Sequence, residues 1–354
     1  MSPEPAKSIG IIGGGCSGLV LANRLLADGA PDKALTLYDD GAPRPDHIWG
    51  YWDAGEAFMS TARRTAAYSW PYWEIISDKG AALLGGGRAR YVGVSSQHYE
   101  QHLRNALSGD NRIALETTSI APDDPALANH QQVYDTTHWT PCGDGLVQHF
   151  QGVHVTASQP CFDPHVATLM DFRVDQSRGV HFIYMLPFSP THALVESTLF
   201  SPQPCEAAFY QTAISDYLAR HFPSITFSLG ATESGVIPMS ALSYHGNATP
   251  IGLAGGALRA SSGYAFYQIH RQIDGLMRKN TLQAGAHRFE QWMDKVFLRV
   301  LRHHPERAAE IFLALGKALS GDTFAAFMNG RAGPGVLAQV IAAVPKLPFI
   351  RQAL

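Results

Sequence analysis

The run Gly13-Gly14-Gly15-Cys16-Ser17-Gly18 joins an apolar segment, Ile9 to Ile12, to a segment carrying Leu19, Ala22, Leu25 and Leu26 at helical spacing. Ala34 to Tyr38 reads as the next strand, and Asp39 stands at its end. Strand, glycine turn, helix and strand form a βαβ unit at the head of the chain. In such a unit the glycines divide three roles among them, which are a tight turn, close approach of backbone to a pyrophosphate, and close packing of helix on strand. A substituent at Gly15 would push the phosphates away, and an acidic residue after the second strand binds a ribose hydroxyl. The expected dinucleotide contacts are therefore Gly13, Gly15, Cys16, Ser17, Gly18, Asp39 and the adjoining Asp40. A lone Gly-x-Gly-x-x-Gly run is also what an ordinary glycine turn looks like, and it is the strand before it and Asp39 after it that favour the cofactor.

Further along, Ser95 or Ser96 can cap a helix carrying Tyr99, Leu103 and Leu107, followed by candidate strands at 112–118 and 132–136. From about 147 to 201 extended apolar runs such as Val180 to Leu186 and Ala193 to Glu196 follow one another without helices, the pattern of an antiparallel sheet. An amphipathic helix is expected at 204–222, a strand from Phe227 to Ile237, and a return to a buried strand from Thr249 to Ala254. Gly255-Gly256 then precedes a helix expected from about Gly263 to Arg278, and residues 281–354 read as mostly helical.

The fold class this implies is α/β: a Rossmann-like FAD-binding domain with an inserted antiparallel-sheet substrate domain and a helical C-terminal part. The expected division is 1–60, 97–145 and 246–280 for the FAD-binding domain, 61–96 and 146–245 for the substrate domain, and 281–354 for the C-terminal region. FAD is preferred to NAD because the motif is N-terminal and the Rossmann-like segments are interrupted by the long antiparallel insertion. Gly255, Gly256 and Gly263 fit a late return of the chain to the pyrophosphate or the flavin ring, with a plain glycine-rich turn as the alternative.

A chain of 354 residues with 16% charged residues and a net charge of −3 buries a full core but offers no basic field for a nucleic acid. Cys16, Cys142, Cys161 and Cys205 stand apart without Cys-x-x-Cys spacing and read as free thiols of a reducing compartment. The histidines suggest no metal site, since the adjacent His303 and His304 would point about 100° apart on a helix. The first residues lack a basic and apolar leader, so a cytoplasmic location is expected, and no apolar stretch reaches the ~20 residues that span a bilayer. Val336, Leu337, Val340, Ile341, Val344, Leu347 and Ile350 are edged by Arg331, Lys346 and Arg351. Such a segment either lies in the headgroup layer, here at the inner face of the membrane, or packs on the protein's own core.

Taken in order, His47-Ile48-Trp49, Leu169-Met170-Asp171, Phe182 to Ser189, Leu194-Val195-Glu196-Ser197-Thr198, Ile237-Pro238-Met239 and Ser262-Gly263-Tyr264 resemble the bacterial and plant lycopene cyclase family. The resemblance runs from the glycine motif to about residue 270. It implies a flavoprotein that converts the end of a linear polyene or isoprenoid to a ring without net oxidation, using reduced FAD supplied by NAD(P)H or another reductant. It aligns Glu196 with the first glutamate of the family's acidic segment, Phe-Leu-Glu-Glu-Thr, while Ser197 replaces the second. It also implies Asp171 as a second catalytic position, and His47, Trp49 and Tyr264 near the flavin or the substrate. Asp135 falls where such flavoproteins carry a strand-end aspartate beside the cofactor, and Gly50 and Tyr51 depart from the family's usual pattern.

On a strand, Glu196 shares a face with Leu194, and a carboxyl on an apolar face keeps its proton near neutral pH. That suits a proton donor to an alkene. A flavin-dependent oxidoreductase or monooxygenase acting on a hydrophobic substrate, and a non-enzymatic prenyl-lipid carrier, are the alternative readings.

Overall fold

The strand Ile9–Ile12 lies between Leu35–Asp39 and Gln132–Asp135 and runs parallel to both. Ile113–Thr117 and Thr249–Pro250 extend the two edges, giving a five-stranded parallel sheet. The computed structural model describes residues 8–29, 35–143, 145–282 and 288–353. Ala34, expected to open the second strand, lies outside them. Helices Cys16–Ala27, Ser96–Leu107 and Phe266–Lys279 pack together beside this sheet, and their apolar faces share one core with Ile11, Leu35 and Leu37. Ser95 is the cap of the second of these helices, its hydroxyl accepting from the His98 amide at 3.1 Å.

The antiparallel run expected after residue 147 is the centre of a seven-stranded sheet. Leu146–Ala157 is hydrogen-bonded on one side to Phe227–Met239 and on the other to His192–Ser201, which pairs in turn with Val180–Pro187. Val166–Asp171, Tyr72–Ser77 and Gly80–Gly85 complete it. One face of this sheet is covered by the helix Ala207–His221, whose Ile214, Tyr217 and Leu218 pack on Val155, Ile183 and Val195. Because side chains alternate along a strand, Tyr184, Glu196 and their in-register neighbours are committed to the other face. A small antiparallel sheet of Ile48–Asp53, Arg90–Ser95 and Tyr68–Trp70 crosses the boundary drawn at residue 60 on the sequence.

Two local expectations differ from what forms. The strand begun at Thr249 ends at Pro250, because Gly252 turns the chain with φ +66° and its amide donates to the Gln272 side chain at 2.8 Å. The following helix begins at Phe266 rather than Gly263, whose φ of +71° is incompatible with a right-handed helix. The C-terminal part is helical as expected, in Arg288–His303, Ala308–Ala318, Gly321–Met328, Pro334–Ala343 and Lys346–Ala353. Pro345 separates the last two, and Pro348 is tolerated because it falls in the first turn of the last. No helix among the described residues is long and apolar enough to cross a membrane.

Candidate functional site

A cavity of about 870 Å³ runs from the glycine loop to the C-terminal helices. At one end are Gly13, Gly15, Cys16 and Ser17, with Arg44, Thr136 and Thr137 beside them. The strained turn there is made by Gly13, at φ +94°. A Cβ on Gly18 would lie 1.9 Å from the Gly13 carbonyl oxygen, so the helix can press on the loop only through a glycine. Gly15, by contrast, faces open space: a Cβ there would meet only the Glu100 carboxylate, at 3.8 Å. Helix Cys16–Ala27 starts at Gly15 without a capping side chain. Open backbone at an uncapped helix start is a cradle for a phosphate group, and these residues fit the pyrophosphate of a dinucleotide.

Asp39 closes the back of the loop, accepting from the Gly14 amide at 2.8 Å and from Arg44 at 2.7 Å. Burial raises the affinity of its carboxyl for a proton, but Arg44 and the Gly14 and Gly41 amides outweigh this and hold it below the ordinary carboxylate range. It is thus an anion at the end of the second strand, the position of a ribose ligand in such units, although Arg44 rather than Asp39 itself lines the cavity. Asp40 is exposed, accepts from the Ala42 amide and does not line the cavity. Asp135 is fully buried and committed to its own turn, accepting from the Thr137 amide and hydroxyl, and lying 2.8 Å from His138 Nδ1 and 3.1 Å from the Tyr244 hydroxyl. Thr136 and Thr137, not Asp135, reach the cavity wall. Gly255 and Gly256 shape the turn after Pro250, the Gly255 carbonyl accepting from the Gln272 side chain at 2.7 Å. Neither lines the cavity, whereas Gly263 and Tyr264 do.

Further in, the wall is aromatic. Trp49 packs on Phe266 with ring centroids 5.3 Å apart, and His47 Nε2 lies 3.0 Å from the Ser234 carbonyl oxygen. Gly50 makes room for Tyr91: a Cβ at residue 50 would lie 1.8 Å from the Tyr91 hydroxyl. That hydroxyl is hydrogen-bonded to Tyr184 and, at 3.1 Å, to Tyr264. Burial pushes all three phenols up, Tyr264 to about 12, so the trio stays neutral.

Glu196 stands at the centre of the large sheet's cavity face. It is directly opposite Tyr184 in one neighbouring strand and Gly152 in the other, and Gly152 is in turn opposite Glu233. Glu233, Gly152, Glu196 and Tyr184 therefore form one row across four strands, all on one face. A Cβ on Gly152 would lie 3.0 Å from Leu194 Cδ1, 3.3 Å from Glu233 Cγ and 3.4 Å from Glu196 Cβ, so the two glutamates flank a position where only a glycine fits. Both are 7% exposed and both line the cavity. Burial, then the charge of Glu233, pushes the Glu196 carboxyl up to about 8, opposed by a hydrogen bond from the Thr198 hydroxyl. Burial pushes Glu233 up to about 7, against His47 and the Ile48 amide, which donates to Glu233 Oε2 at 3.2 Å.

The sequence points to Glu196 but not to Glu233, because residues 228–232 and 234 around it are exposed and give no sign of a buried face. The alternation Glu233, Gly235, Ile237, all on the cavity wall, is the only local signal. Ser197 cannot stand in for a second carboxylate, since it points to the opposite face and its hydroxyl pairs with His181 Nε2 at 2.9 Å. Asp171, expected at the catalytic centre, is placed away from the cavity. Its register partner Ile183 packs under the helix Ala207–His221, and its carboxylate is held by Arg173 at 2.5 Å and by the Tyr217 hydroxyl at 2.8 Å. Burial works against the Asp171 anion, but Arg173 and Tyr217 hold it below the ordinary range, as suits a structural ion pair.

The far end of the cavity is formed by the C-terminal helices through Trp292, Phe297, Phe312, Val340, Val344 and Phe349. Trp292, Ile341 and Ile350 line it yet are about half exposed, which puts them at its mouth. Leu347 is the most exposed large apolar residue among the described residues, at 69%. Two of the basic residues edging this segment are engaged within the protein: Arg331 pairs with Glu56, and Lys346 Nζ donates to the Ala342 carbonyl at 2.8 Å.

The family model described as Lycopene cyclase protein matches residues 9–354. A curated relative, the lycopene beta-cyclase of Pseudescherichia vulneris, is 26% identical over 65% of this chain and 61% of its own length, so that match spans under two thirds of the relative. Another, the lycopene beta-cyclase of Pantoea ananas, is 23% identical over 84% of this chain and 83% of its own. Among solved structures, a geranylgeranyl bacteriochlorophyll reductase-like protein of Thermoplasma acidophilum superposes with a TM-score of 0.58 at 10% identity, covering 98% of each chain. That likeness concerns the fold, an α/β flavoprotein fold with a parallel and an antiparallel sheet. Since the family model spans nearly the whole chain, the chain belongs to the lycopene cyclase family.

Proposed function

We propose that the protein binds FAD and cyclises the end of a linear polyene such as lycopene, with Glu196 as the proton donor. The observation that carries this reading is the placing of Glu196, a carboxyl in an aromatic, apolar cavity continuous with the glycine loop, where burial favours its protonated form. Gly13, Gly15, Ser17 and the start of helix Cys16–Ala27 hold the pyrophosphate, and Asp39 the ribose. Reduced FAD, when bound, supplies electron density that stabilises a cation in the cavity.

The polyene lies along the apolar wall with its end at Glu196. The Glu196 O–H bond breaks as the proton adds to the terminal alkene, and the resulting tertiary cation is attacked by the next double bond. Tyr91, Tyr184, Tyr264 and Trp49 exclude water that would otherwise trap this cation, and an aromatic face over a desolvated cation contributes about 2 kcal/mol. The mouth at Trp292, Ile341 and Ile350, with Leu347 beside it, rests on the membrane surface, from which a dissolved polyene enters without crossing water. NAD(P)H or another reductant keeps the flavin reduced and is not consumed in proportion to product.

The test is anaerobic incubation of the FAD-loaded protein with lycopene after dithionite reduction. A product of unchanged mass and altered absorbance, formed without stoichiometric NAD(P)H use and lost in Glu196→Gln, is the expected result. One NAD(P)H consumed per product would make the protein an oxidoreductase instead.

A further inference from the structure

A proton given to an alkene must be recovered when the ring cation collapses, and the row Glu233, Gly152, Glu196, Tyr184 holds two carboxyl groups, not one. The residue of the intervening strand in that row is Gly152, which has no side chain of its own, and the Leu194 methyl beside it is apolar and adds no competing polar group. The position has a packing cost, since a glycine in the middle of a central strand is unfavourable. A larger residue would separate the two groups, its Cβ falling within 3.4 Å of both side chains. Both carboxyl groups line the same cavity, together with the tyrosine trio.

We propose that Glu196 and Glu233 work as an acid–base pair sharing one proton across Gly152, with Glu233 the base that takes up the proton released by the cyclised cation. This rests on the reading of Glu196 as the acid. Glu196 loses its proton as the π electrons of the terminal alkene form a C–H bond at its less substituted carbon, leaving the tertiary cation on the other. The π electrons of the second alkene close the ring and move the cation onto it. The Glu233 carboxylate then removes a proton from the carbon beside the cation, and the electron pair of that C–H bond becomes the ring double bond. The proton returns from Glu233 to Glu196 as the product leaves, so the pair is restored without an external acid, base or oxidant.

The surroundings favour one proton on the pair. Two carboxylates in one desolvated pocket cannot both ionise freely, and Glu196 accepts a hydrogen bond from the Thr198 hydroxyl while the nearby phenols of Tyr184 and Tyr264 are neutral and bonded to Tyr91. Glu233 faces a more polar rim, with the Ile48 amide, His47 and, at greater range, Asp46. The anion of the pair therefore belongs on Glu233 and the proton on Glu196, the distribution an acid step followed by a base step needs.

The test is Glu233→Gln in the full-length, FAD-loaded protein, reduced anaerobically and given lycopene across a pH series. The expected result is native fold and flavin content, turnover about 100-fold lower, and a shift of the alkaline limb of turnover to lower pH as Glu196 loses its negative neighbour. Glu233→Asp, one methylene shorter, restores the position of the alkaline limb with turnover about tenfold below native, and it answers the question if the Gln variant does not fold. Native turnover with an unmoved alkaline limb in Glu233→Gln, or native turnover in Glu233→Asp where only that variant folds, overturns the proposal. Glu196→Gln separates the two readings: if it is inactive while the Glu233 variants are native, Glu196 stands as the acid and the pair falls. If Glu196→Gln is itself active, the acid assignment falls with it.

Discussion

Tyr184 stands directly opposite Glu196 in the adjacent strand, and its hydroxyl is tied away from that carboxyl into a cluster with Tyr91 and Tyr264. The consequence is a carboxyl with an aromatic neighbour but few donors to stabilise its charge, which is why burial dominates its protonation. Tyr184→Phe keeps the ring and removes the hydroxyl on which Tyr91 depends. The buried Tyr91 phenol then loses a partner, and the variant is expected to be about 1–2 kcal/mol less stable by urea denaturation, at unchanged flavin content.

The raised proton affinity of Glu196 also sets a pH dependence of stability. Its ordinary carboxyl pKa of 4.5 is pushed up to about 8 in the folded chain, so between those values the folded state holds a proton that the unfolded state has lost. The stability contributed by that carboxyl is complete below about 4.5 and is lost as the pH rises through about 8. Glu196→Gln lacks this contribution, while that of the buried Glu233 remains in both proteins. Its melting temperature should therefore gain on the wild type as the pH rises from about 5 to about 8, and a constant difference across that range would contradict the burial argument.

Gly15 and Gly18 are expected to fail differently. Gly18→Ala puts a methyl group against the Gly13 carbonyl, and overpacking of that kind costs about 1–3 kcal/mol, visible as a lower melting temperature with or without FAD. Gly15→Val enters open space and should leave the melting temperature of the FAD-free protein unchanged while abolishing the flavin colour. Flavin retained by Gly15→Val would remove that residue from the pyrophosphate site.

Asp171→Asn tests a structural role. Removing the charge leaves Arg173 unpaired, but Arg173 is one-third exposed, so solvent offsets part of the loss and about 1–3 kcal/mol of stability is expected to go. Turnover of the folded fraction should change less than twofold. A large loss of turnover at unchanged stability would return Asp171 to the reaction.

Leu347→Glu tests the proposed membrane rest. Leu347 projects from the last helix outside the cavity lining, and its transfer to a lipid interface is worth about 1.5–3 kcal/mol. Binding to anionic liposomes should fall about tenfold or more in flotation assays, with FAD content unchanged. Equal binding by the variant would place the contact elsewhere.

The glycine loop, its flanking strands and Asp39 were legible because the dinucleotide signal is local: every residue of it lies in one βαβ unit and its spacing is set by backbone geometry. Glu196 was legible for a similar reason, as one carboxyl in an apolar strand. Glu233 was not, since its own strand is mostly exposed and only the pairing through Gly152 brings it to Glu196. The same register sends Ser197 to the far side, next to His181. Asp171 shows the converse. A motif residue beside the cavity-lining Leu169 and Met170 is turned by an irregularity in strand pairing onto the helix-covered face, where Tyr217 and Arg173 hold it. Local spacing therefore determined where open backbone at a helix start is able to cradle a phosphate, and which strand carries the buried Glu196. Which carboxylates meet, and which are kept apart, was decided by strand register, a property of pairings between segments far apart in the chain.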